Sequence, residues 1–444
     1  MFDRVLVANR GEVALRILRT LREMGIDGVL ASSMADARLP MPHARARVCI
    51  GGDDPTSSYL NPCRVIGAAV ASGADAIHPG YGFLSEDADF ARMCAEMGLA
   101  FIGPSPEALR RLGNKVEACR LAAEAGLPTL LVGVARDEAE IAGMAHEELF
   151  PIVLKPVMGG GGKGIRAVFR PEDTGEAWRQ ARKEASTAFR DGGLYVERYL
   201  PGARHLEAQV IRDTRGNTAT FPLRECSIQR RHQKWLEETP APSCPERLES
   251  RLREGAARLV EICGLVGIAT VEYLVRGESY FFLEVNPRLQ VEHTVTEMIC
   301  GIDLVREQVR IASGEELDPL PAPRGHAMEV RLYGYPAGGR ACRLTLPGGN
   351  GIRVDAAPTG TAAASSRYDG LLAKICSWSP TREMNVRRMR RALEETEAAG
   401  FRSNLEELRS LLENKDFQRG TYDLSTFDDR SGEPRRFRQT RGQS

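Results

Sequence analysis

Short apolar segments alternate with segments of helical periodicity over residues 4–102. Strands are predicted at 4–8, 28–31, 48–50, 75–77 and 99–102. Helices are predicted between them, at 12–24, 62–72 and 86–97. This alternation predicts a doubly wound parallel sheet, because strands that are joined by helices become parallel and are covered on both faces. The segment 78–82 (HPGYG) follows one strand at the end where such sheets bind ligands, although an ordinary turn explains its glycines equally well.

The rest of the chain is predicted to form a second α/β unit and a C-terminal α+β unit. The second unit contains a small lid with its own strands and helices, and it ends in one long helix at 293–312. A Pro-rich segment at 315–325 is typical of a linker. The predicted boundaries are 1–112 for the first domain, 113–314 for the second with its lid at about 130–202, 324–430 for the third, and 431–444 for a disordered tail.

The composition is that of an ordinary globular protein and argues against two classes of partner. The 444 residues include 60 basic and 60 acidic ones, so no overall attraction to nucleic acid or to an anionic membrane is expected. The 10 cysteines contain no C-x-x-C pair, so neither a zinc site nor a disulfide framework is indicated. The N-terminus has no secretory pattern and no apolar run reaches ~18–20 residues, so we expect a cytoplasmic protein.

Two carboxylates interrupt an apolar strand pair that is predicted on either side of the turn 276–279. Glu272 and Glu284 face each other if the hairpin closes there, and alternation along the second strand directs Asn286 and Arg288 to the same face. Facing carboxylates repel each other, and oxygen ligands suit Mg²⁺ or Mn²⁺. The pattern therefore indicates a metal site, with a solvated face of ordinary surface charges as an equally supported alternative.

A glycine-rich loop, GGGGKG at 159–164, lies between two predicted strands. It contains the spacing G-x-G-x-x-G, but a dinucleotide-binding fingerprint must open a helix, and 165–169 has the pattern of a strand. It is no P-loop either, because Gly164 follows Lys163 where Ser or Thr is required. Successive backbone N–H groups in such a tip can bind phosphate oxygens and close over them, which the nearby Lys155 favours. A disordered turn is the alternative.

The segment 197–200 (ERYL) ends another predicted strand. A strand-to-loop junction leaves a backbone N–H and C=O that can read an adenine edge, although a purely structural role explains these residues more simply. His205 and His232 lack metal-ligand spacing, and lone histidines of this kind are more often surface or packing residues than ligands.

Ten motifs are spread over nearly the whole chain. They are VLVANRGEVALRI (5–17), AIHPGYGFLSE (76–86), FIGPS (101–105), GNKVEA (113–118), LKPVMGGGGKG (154–164), VERYL (196–200), ECSIQRRHQK (225–234), EVNPRLQVEHTVTEM (284–298), RGHAMEVR (324–331) and YDGLLAK (368–374). Together they resemble the biotin carboxylase family of ATP-grasp enzymes. The resemblance implies an ATP-grasp fold with an N-terminal doubly wound parallel-sheet domain, a mobile glycine-loop lid and a C-terminal α+β domain.

The family resemblance also implies a reaction. ATP phosphorylates bicarbonate to carboxyphosphate, whose CO₂ then carboxylates N1 of biotin on a separate carrier protein. Catalytic roles are implied for Arg288, Glu292 and Lys234, with Glu292 as the general base. Metal binding of Mg²⁺ or Mn²⁺ is implied for Glu272, Glu284 and Asn286. Binding of nucleotide, bicarbonate or biotin is implied for Lys115, Lys155, Gly161, Gly162, Lys163, Glu197, Arg198, Tyr199, Leu200, His205, Gln229, His232, Val291 and Arg331.

Elementary chemistry agrees with these implied roles. Phosphoryl transfer depends on positioning and charge neutralisation, which a metal ion, Lys155 and backbone amides provide. Bicarbonate must lose a proton to become a good nucleophile, and a carboxylate within hydrogen-bond reach can accept it. The planar guanidinium of Arg288 can donate two parallel hydrogen bonds to the carboxylate group of bicarbonate.

The chain departs from the family pattern at Met158, where a small residue is usual, at Lys163, where Arg is usual, and over one stretch after Arg331. Its partners are implied by the resemblance. Residues 332–349 (LYGYPAGGRACRLTLPGG) replace the usual acidic segment after Arg331, which puts the biotin-side wall and the dimer contacts in question. No lysine lies in a Met-Lys-Met biotinylation sequence, so a separate carrier protein and a carboxyltransferase subunit are expected. The resemblance also implies a homodimer. An acetyl-CoA carboxylase type is favoured over a pyruvate or other acyl-CoA type. A different ATP-grasp ligase and a nucleotide-binding homologue with impaired biotin turnover are the alternatives.

Overall fold

The computed structural model describes residues 1–144, 147–158, 164–189, 191–336, 343–357 and 368–427. The predicted tail at 431–444 lies outside them. None of the described helices has the length and apolar character that crossing a membrane requires. Short 3-10 helices lie at Pro55–Ser57, Glu147–Leu149 and Pro171–Asp173.

The N-terminal residues form the predicted doubly wound parallel sheet. All described strand pairs of this sheet are parallel, in the order β3-β2-β1-β4-β5. One face packs on α1 and, farther along the chain, on α9 and α10, while the other packs on α2 and α3. The elements are β1 (Arg4–Val7), α1 (Gly11–Glu23), β2 (Asp27–Ser33), β3 (Ala46–Gly51), α2 (Pro62–Ser72), β4 (Ala76–His78), α3 (Ala88–Glu96), β5 (Ala100–Phe101), α4 (Pro106–Gly113), and, in the second unit, α9 (His293–Cys300) and α10 (Leu304–Ala312).

A small antiparallel sheet follows, in the order β6-β9-β7-β8. Helices α6 and α7 cover it and share an apolar core with it that includes Leu154, Trp178 and Val196. This unit carries Lys155 on β7 and Glu197 on β9. The elements are α5 (Lys115–Glu124), β6 (Leu131–Ala135), α6 (Glu138–Met144), β7 (Ile152–Pro156), β8 (Arg166–Val168), α7 (Thr174–Phe189) and β9 (Leu194–Arg198).

A large antiparallel sheet joins the second unit to the third. Its order is β15-β14-β10-β12-β13-β16-β19-β18, with β11 on β10 and β21 on β16. Because β13 pairs with β16, the sheet continues across the Pro-rich segment that was predicted to be a linker. The elements are β10 (Arg204–Arg212), β11 (Thr218–Thr220), β12 (Arg224–Arg230), β13 (Gln233–Thr239), α8 (Glu246–Ile262), β14 (Gly267–Arg276), β15 (Ser279–Asn286), β16 (His326–Pro336), β17 (Arg343–Thr345), β18 (Ile352–Ala356), β19 (Leu371–Ser379), α11 (Arg382–Glu395), β20 (Glu397–Ala399), β21 (Phe401–Ser403), α12 (Leu405–Glu413) and α13 (Lys415–Arg419).

The prediction of one long helix at 293–312 is wrong, because the chain breaks it into α9 and α10. Gly301 ends α9 in the left-handed region, with φ +65. Asp303 then caps α10, and its side chain accepts a hydrogen bond from the Arg306 N–H at 2.9 Å. A left-handed glycine followed by an N-cap aspartate is a strong stop-and-start signal that outweighs continuous apolar spacing.

A tight turn between β12 and β13 was not predicted. Arg231 and His232 form it with positive φ values of 52 and 63. Two-residue hairpin turns of this type usually contain Asn or Gly, since other side chains are strained there. Because neither residue is typical of such a turn, sequence patterns do not predict this hairpin. The strained turn places Lys234 near the start of β13.

Glu12 on α1 is buried, and this burial gives the fold a predictable pH dependence. Burial raises the pKa of Glu12 to about 7 from 4.5. Its contribution to stability is therefore complete below about pH 4.5 and is lost as pH rises through about 7. As pH rises over that range, we expect the wild type to lose about 3 kcal/mol of unfolding free energy relative to Glu12→Gln, which has no titrating group at this position. Chemical denaturation at a series of pH values measures it, and a constant difference would contradict it.

Candidate active site

The hairpin of β14 and β15 brings the two predicted metal-binding carboxylates together. Glu272 lies opposite Glu284 in the antiparallel register, which confirms the predicted facing pair. Asn286 Nδ2 donates to Glu272 Oε1 at 2.9 Å and to Glu284 Oε1 at 3.3 Å. We call these three side chains the acidic edge. A donor between two carboxylates relieves the repulsion that their proximity creates.

Two lysines and a histidine keep the carboxylates of the acidic edge ionised. Lys115 Nζ donates to Glu284 Oε2 at 2.8 Å, and Lys234 Nζ donates to Glu272 Oε1 at 3.2 Å. Burial raises the pKa of both carboxyls, but the charges and hydrogen bonds of their neighbours outweigh this effect. Lys234 and His205 hold the pKa of Glu272 well below its ordinary value, and Lys115 lowers the pKa of Glu284. Both groups are therefore charged at neutral pH, as metal binding requires.

Lys234 lies at the centre of three carboxylates. Besides Glu272, its ammonium donates to Glu207 Oε2 at 2.7 Å and to Glu292 Oε1 at 2.5 Å. Burial lowers the pKa of the ammonium, but the three anions outweigh this effect and raise it well above its ordinary value. Lys234 is thus a fixed positive charge that links the acidic edge to Glu292.

Glu292 follows Val291 and directly precedes α9, and two cationic side chains donate hydrogen bonds to its carboxylate. Arg331 Nη2 donates to Glu292 Oε2 at 3.0 Å, opposite the contact with Lys234, and Arg331 also pairs with Glu237. Burial raises the pKa of Glu292, but Lys234 and Arg331 hold it well below its ordinary value. Glu292 is therefore ionised and ready to accept a proton, but it is a weak base while both cations engage it.

Arg288 contacts the N-terminal domain as well as the acidic edge. Its Nε donates to Glu86 Oε1 at 2.5 Å and its Nη2 donates to Asn286 Oδ1 at 3.1 Å. Glu86 belongs to the segment that follows β4. The carboxyl end of the parallel sheet, where ligand binding was predicted, therefore borders the same site.

The hinge between the small sheet and the large sheet carries the residues expected to contact nucleotide. Lys155 Nζ lies 2.5 Å from Glu197 Oε2. The N–H groups of Arg198 and Tyr199 donate to Leu130 O at 2.9 Å and to Pro151 O at 3.0 Å. Within the described chain, the Leu200 N–H has no such backbone acceptor, so this amide is able to donate to a ligand.

A cavity of about 520 Å³ opens beside this hinge. Its lining is mostly apolar, with two arginines at its border. The lining residues are Thr129, Leu130, Leu131, Val132, Leu149, Arg198, Tyr199, Leu200, Pro201, Arg276 and Phe281.

The remaining predicted residues fall into two groups. Gln229 Nε2 lies 2.8 Å from His205 Nδ1, and His205 Nε2 lies 2.8 Å from Glu272 Oε2, so this pair borders the acidic edge. His232 is exposed at the turn between β12 and β13. The predicted phosphate-binding residues of the glycine loop, Gly161, Gly162 and Lys163, lie outside the described residues.

Comparison with known proteins places this site in a family. Family models match the chain as "Biotin carboxylase, N-terminal domain" at 1–109, "Carbamoyl-phosphate synthase L chain, ATP binding domain" at 114–320 and "Biotin carboxylase C-terminal domain" at 329–429. A biotin carboxylase of Nostoc sp. is 40% identical over 438 residues, which cover 96% of this chain and 98% of that protein. The chain belongs to the biotin carboxylase family. It is an ATP-dependent ligase with an ATP-grasp fold.

Solved biotin carboxylase structures agree with the fold. The biotin carboxylase of Campylobacter jejuni, in a complex named for βγ-ATP, superposes with a TM-score of 0.92 at 36% identity and covers 96% of this chain and 98% of that one. The biotin carboxylase domain dimer of Hydrogenobacter thermophilus 2-oxoglutarate carboxylase, solved with MgADP, ADP and bicarbonate, has a TM-score of 0.91 at 35% identity and covers 96% of both chains.

The acidic edge fits a divalent cation. Two ionised carboxylates share one donor, Asn286 Nδ2, so the three side chains that would hold a cation are already linked by hydrogen bonds. A reversed amide would present Oδ1 instead, and the two orientations of an amide differ only in their hydrogen bonds. Hard oxygen donors of this kind suit Mg²⁺ or Mn²⁺.

Sequence patterns missed the residue that connects the parts of the site. Arg224 is completely buried and donates from Nε to Glu207 and from Nη2 to Gln290 Oε1 at 2.9 Å. Gln290 Nε2 in turn donates to Glu272 Oε1 at 2.7 Å. The available signal was alternation on β10, where His205, Glu207 and Gln209 are polar while the residues between them are apolar.

Proposed function

We propose that the chain carboxylates N1 of biotin on a separate carrier protein, using ATP and bicarbonate through carboxyphosphate. The observation that carries this proposal is the convergence of Lys234 and Arg331 on Glu292, directly beside the acidic edge. The arrangement combines an anion site, a proton acceptor and a metal site within one buried network, which are the three parts that bicarbonate activation by ATP needs.

The acidic edge and the hinge would bind the nucleotide. Glu272, Glu284 and Asn286 would hold Mg²⁺ or Mn²⁺, which neutralises phosphate charge when bound. Lys115 and Lys155 would contact the phosphates, together with Gly161, Gly162 and Lys163. Glu197 to Leu200 would border the adenine, for which the open Leu200 N–H offers a donor. His205, Gln229 and His232 would line the nucleotide pocket.

The basic residues around Glu292 would bind bicarbonate. Lys234, Arg288 and the Val291 N–H would hold the anion, and Glu292 would take its proton. For that step the pKa of Glu292 must rise from its low value. Bicarbonate provides the cause, because an anion that draws Lys234 towards itself removes positive charge from Glu292. The substrate would thereby activate its own base.

Biotin would bind against Arg331, and Arg288 with Arg331 would stabilise the negative charge that forms on its ureido oxygen. The unusual stretch after Arg331 continues as ordered strand β16 up to Pro336, with the Tyr333 N–H bonded to Asn404 Oδ1 at 2.8 Å. Arg331 therefore lies within a paired strand despite the departure from the family pattern.

We further propose a homodimer that works in the cytoplasm with a biotin carrier protein and a carboxyltransferase subunit. The dimeric Hydrogenobacter relative supports the first part. An acetyl-CoA carboxylase is the favoured assembly, and a pyruvate or other acyl-CoA carboxylase is the alternative. Co-purification from the native cell identifies the partner chains directly.

The decisive experiment measures ADP formation in the presence of Mg²⁺. We expect ATP hydrolysis that depends on both bicarbonate and free biotin, with carboxybiotin as the product. ATP turnover that ignores biotin would favour the nucleotide-binding homologue, and turnover without bicarbonate would favour a different ATP-grasp ligase. Either result would overturn the proposed function.

A further inference from the structure

Two motif residues that the reaction leaves without a role meet behind the bicarbonate site. Glu12 lies on α1 in the motif at 5–17, and Lys374 lies on β19 in the motif at 368–374. Lys374 Nζ lies 3.3 Å from Glu12 Oε2 and 3.8 Å from Asp355 Oδ2. Lys374 is completely buried, so its ammonium depends on these carboxylates for compensation of its charge.

The Lys374 ammonium also contacts the backbone of the active site. It donates to the carbonyl oxygen of Val291 at 3.0 Å. That carbonyl belongs to the peptide group that joins Val291 to Glu292. A charged donor fixes a peptide plane more strongly than a neutral one, and here it fixes the plane between the proposed bicarbonate amide and the proposed base.

We propose that Lys374 is a positioning residue for bicarbonate activation, held in place by Glu12 of the N-terminal domain. It acts through the Val291–Glu292 peptide, so the docking of the N-terminal and C-terminal domains sets the geometry of the bicarbonate site. The proposal rests on the proposed function for its catalytic consequence, but its structural part stands on the Lys374 contacts alone.

The structure explains why this segment needs an external anchor. Val291 and Glu292 lie between the end of β15 and the start of α9, outside both elements. Glu292 precedes α9 without a side-chain cap that would fix its backbone. Its carboxylate is held by Lys234 and Arg331, whereas its peptide group is held by Lys374.

The test replaces Lys374 by methionine, which keeps most of the volume and removes the donor. We expect the KM for bicarbonate to rise about ten- to hundredfold, as the loss of one charged hydrogen bond allows, with the KM for ATP unchanged. Backbone amides of residues 290–293 should exchange hydrogen faster in this variant even without substrates. The exchange measurement needs no activity, so it stays informative if the wild type fails the biotin-dependent assay.

The matched control is Arg16→Met. Arg16 is also buried and bridges domains, with Nη2 at 2.8 Å from Glu297 Oε1 and at 2.7 Å from Asp303 Oδ1, but it bonds to neither Val291 nor Glu292. The Arg16→Met variant should be less stable than the wild type, while its KM for bicarbonate and the hydrogen exchange of its amides at 290–293 stay unchanged. Equal changes in both variants would assign Lys374 a general structural role and overturn the proposal.

A second variant covers the case in which Lys374→Met does not fold. Glu12→Gln keeps Lys374 and weakens only its anchor, so the same two readouts should change in the same direction by a smaller factor of about two to five. Unchanged readouts in a folded Glu12→Gln protein, or loss of folding in both variants, would overturn the proposal.

Discussion

Replacing Glu292 by glutamine is expected to lower the turnover of bicarbonate- and biotin-dependent ATP hydrolysis by about 10²–10⁴-fold, the range typical of a lost general base. Glutamine keeps the shape of the side chain and can still accept a hydrogen bond, but it cannot take a proton from bicarbonate. Affinity for ATP should survive, because Glu292 contacts Lys234 and Arg331 and none of the proposed nucleotide residues other than through them. Steady-state kinetics and an equilibrium ATP-binding measurement give the two readouts.

The control for this prediction is Glu225→Gln on β12. Glu225 is also a completely buried carboxylate, but it pairs with Arg204 and lies one residue from Arg224, so its side chain points to the opposite face of the strand. It should lower stability without a comparable loss of turnover. Wild-type turnover in Glu292→Gln would remove Glu292 from the role of base.

Local patterns predicted those parts of the site that lie on one or two adjacent elements. The facing pair Glu272 and Glu284 was predicted from the turn and the alternation of side chains, but its register also depends on an irregularity between Glu272 and Tyr273 that shifts the pairing by one residue. The parallel sheet followed from the alternation of strands and helices. In both cases the decisive contacts are close in sequence, and the side-chain period leaves little freedom.

Contacts between distant strands could not be predicted in the same way. The pairing of β13 with β16 closes the large sheet across a Pro-rich segment that has every local sign of a linker. The contacts of the Arg224 side chain could not be predicted for the same reason. An arginine in a strand is usually exposed, and its burial here depends on acceptors from β10, β14 and α9 that no local pattern brings together.

Arg224 therefore carries the second prediction. Its guanidinium donates to five side chains that sequence analysis left without a role: Glu207, Gln209, Thr270, Gln290 and Thr296. Through Glu207 it fixes Lys234 on the bicarbonate side, and through Gln290 it fixes Glu272 on the acidic edge. One buried cation thus sets the spacing between the two halves of the proposed reaction.

Arg224→Met is expected to lower the free energy of unfolding by about 3–5 kcal/mol, since it leaves Glu207 as a buried carboxylate with one of its two cations removed. Denaturant unfolding measures this loss. Among molecules that remain folded, the Mg²⁺ concentration for half-maximal rate and the KM for bicarbonate should both rise, because both sides of the site lose their common support.

Arg224→Lys and Arg204→Met separate positioning from stability. Lysine restores the charge but has three donors on one nitrogen and cannot span five acceptors, so it should recover stability more than it recovers turnover. The Arg204 guanidinium pairs with the buried Glu225 carboxylate and donates to the backbone carbonyls of Pro242 and Ser243, away from the acidic edge. Its loss should therefore leave the Mg²⁺ and bicarbonate dependence unchanged. If Arg224→Lys matched the wild type in turnover, charge alone would be sufficient and the fork geometry of Arg224 would have no role in holding the two halves of the site together.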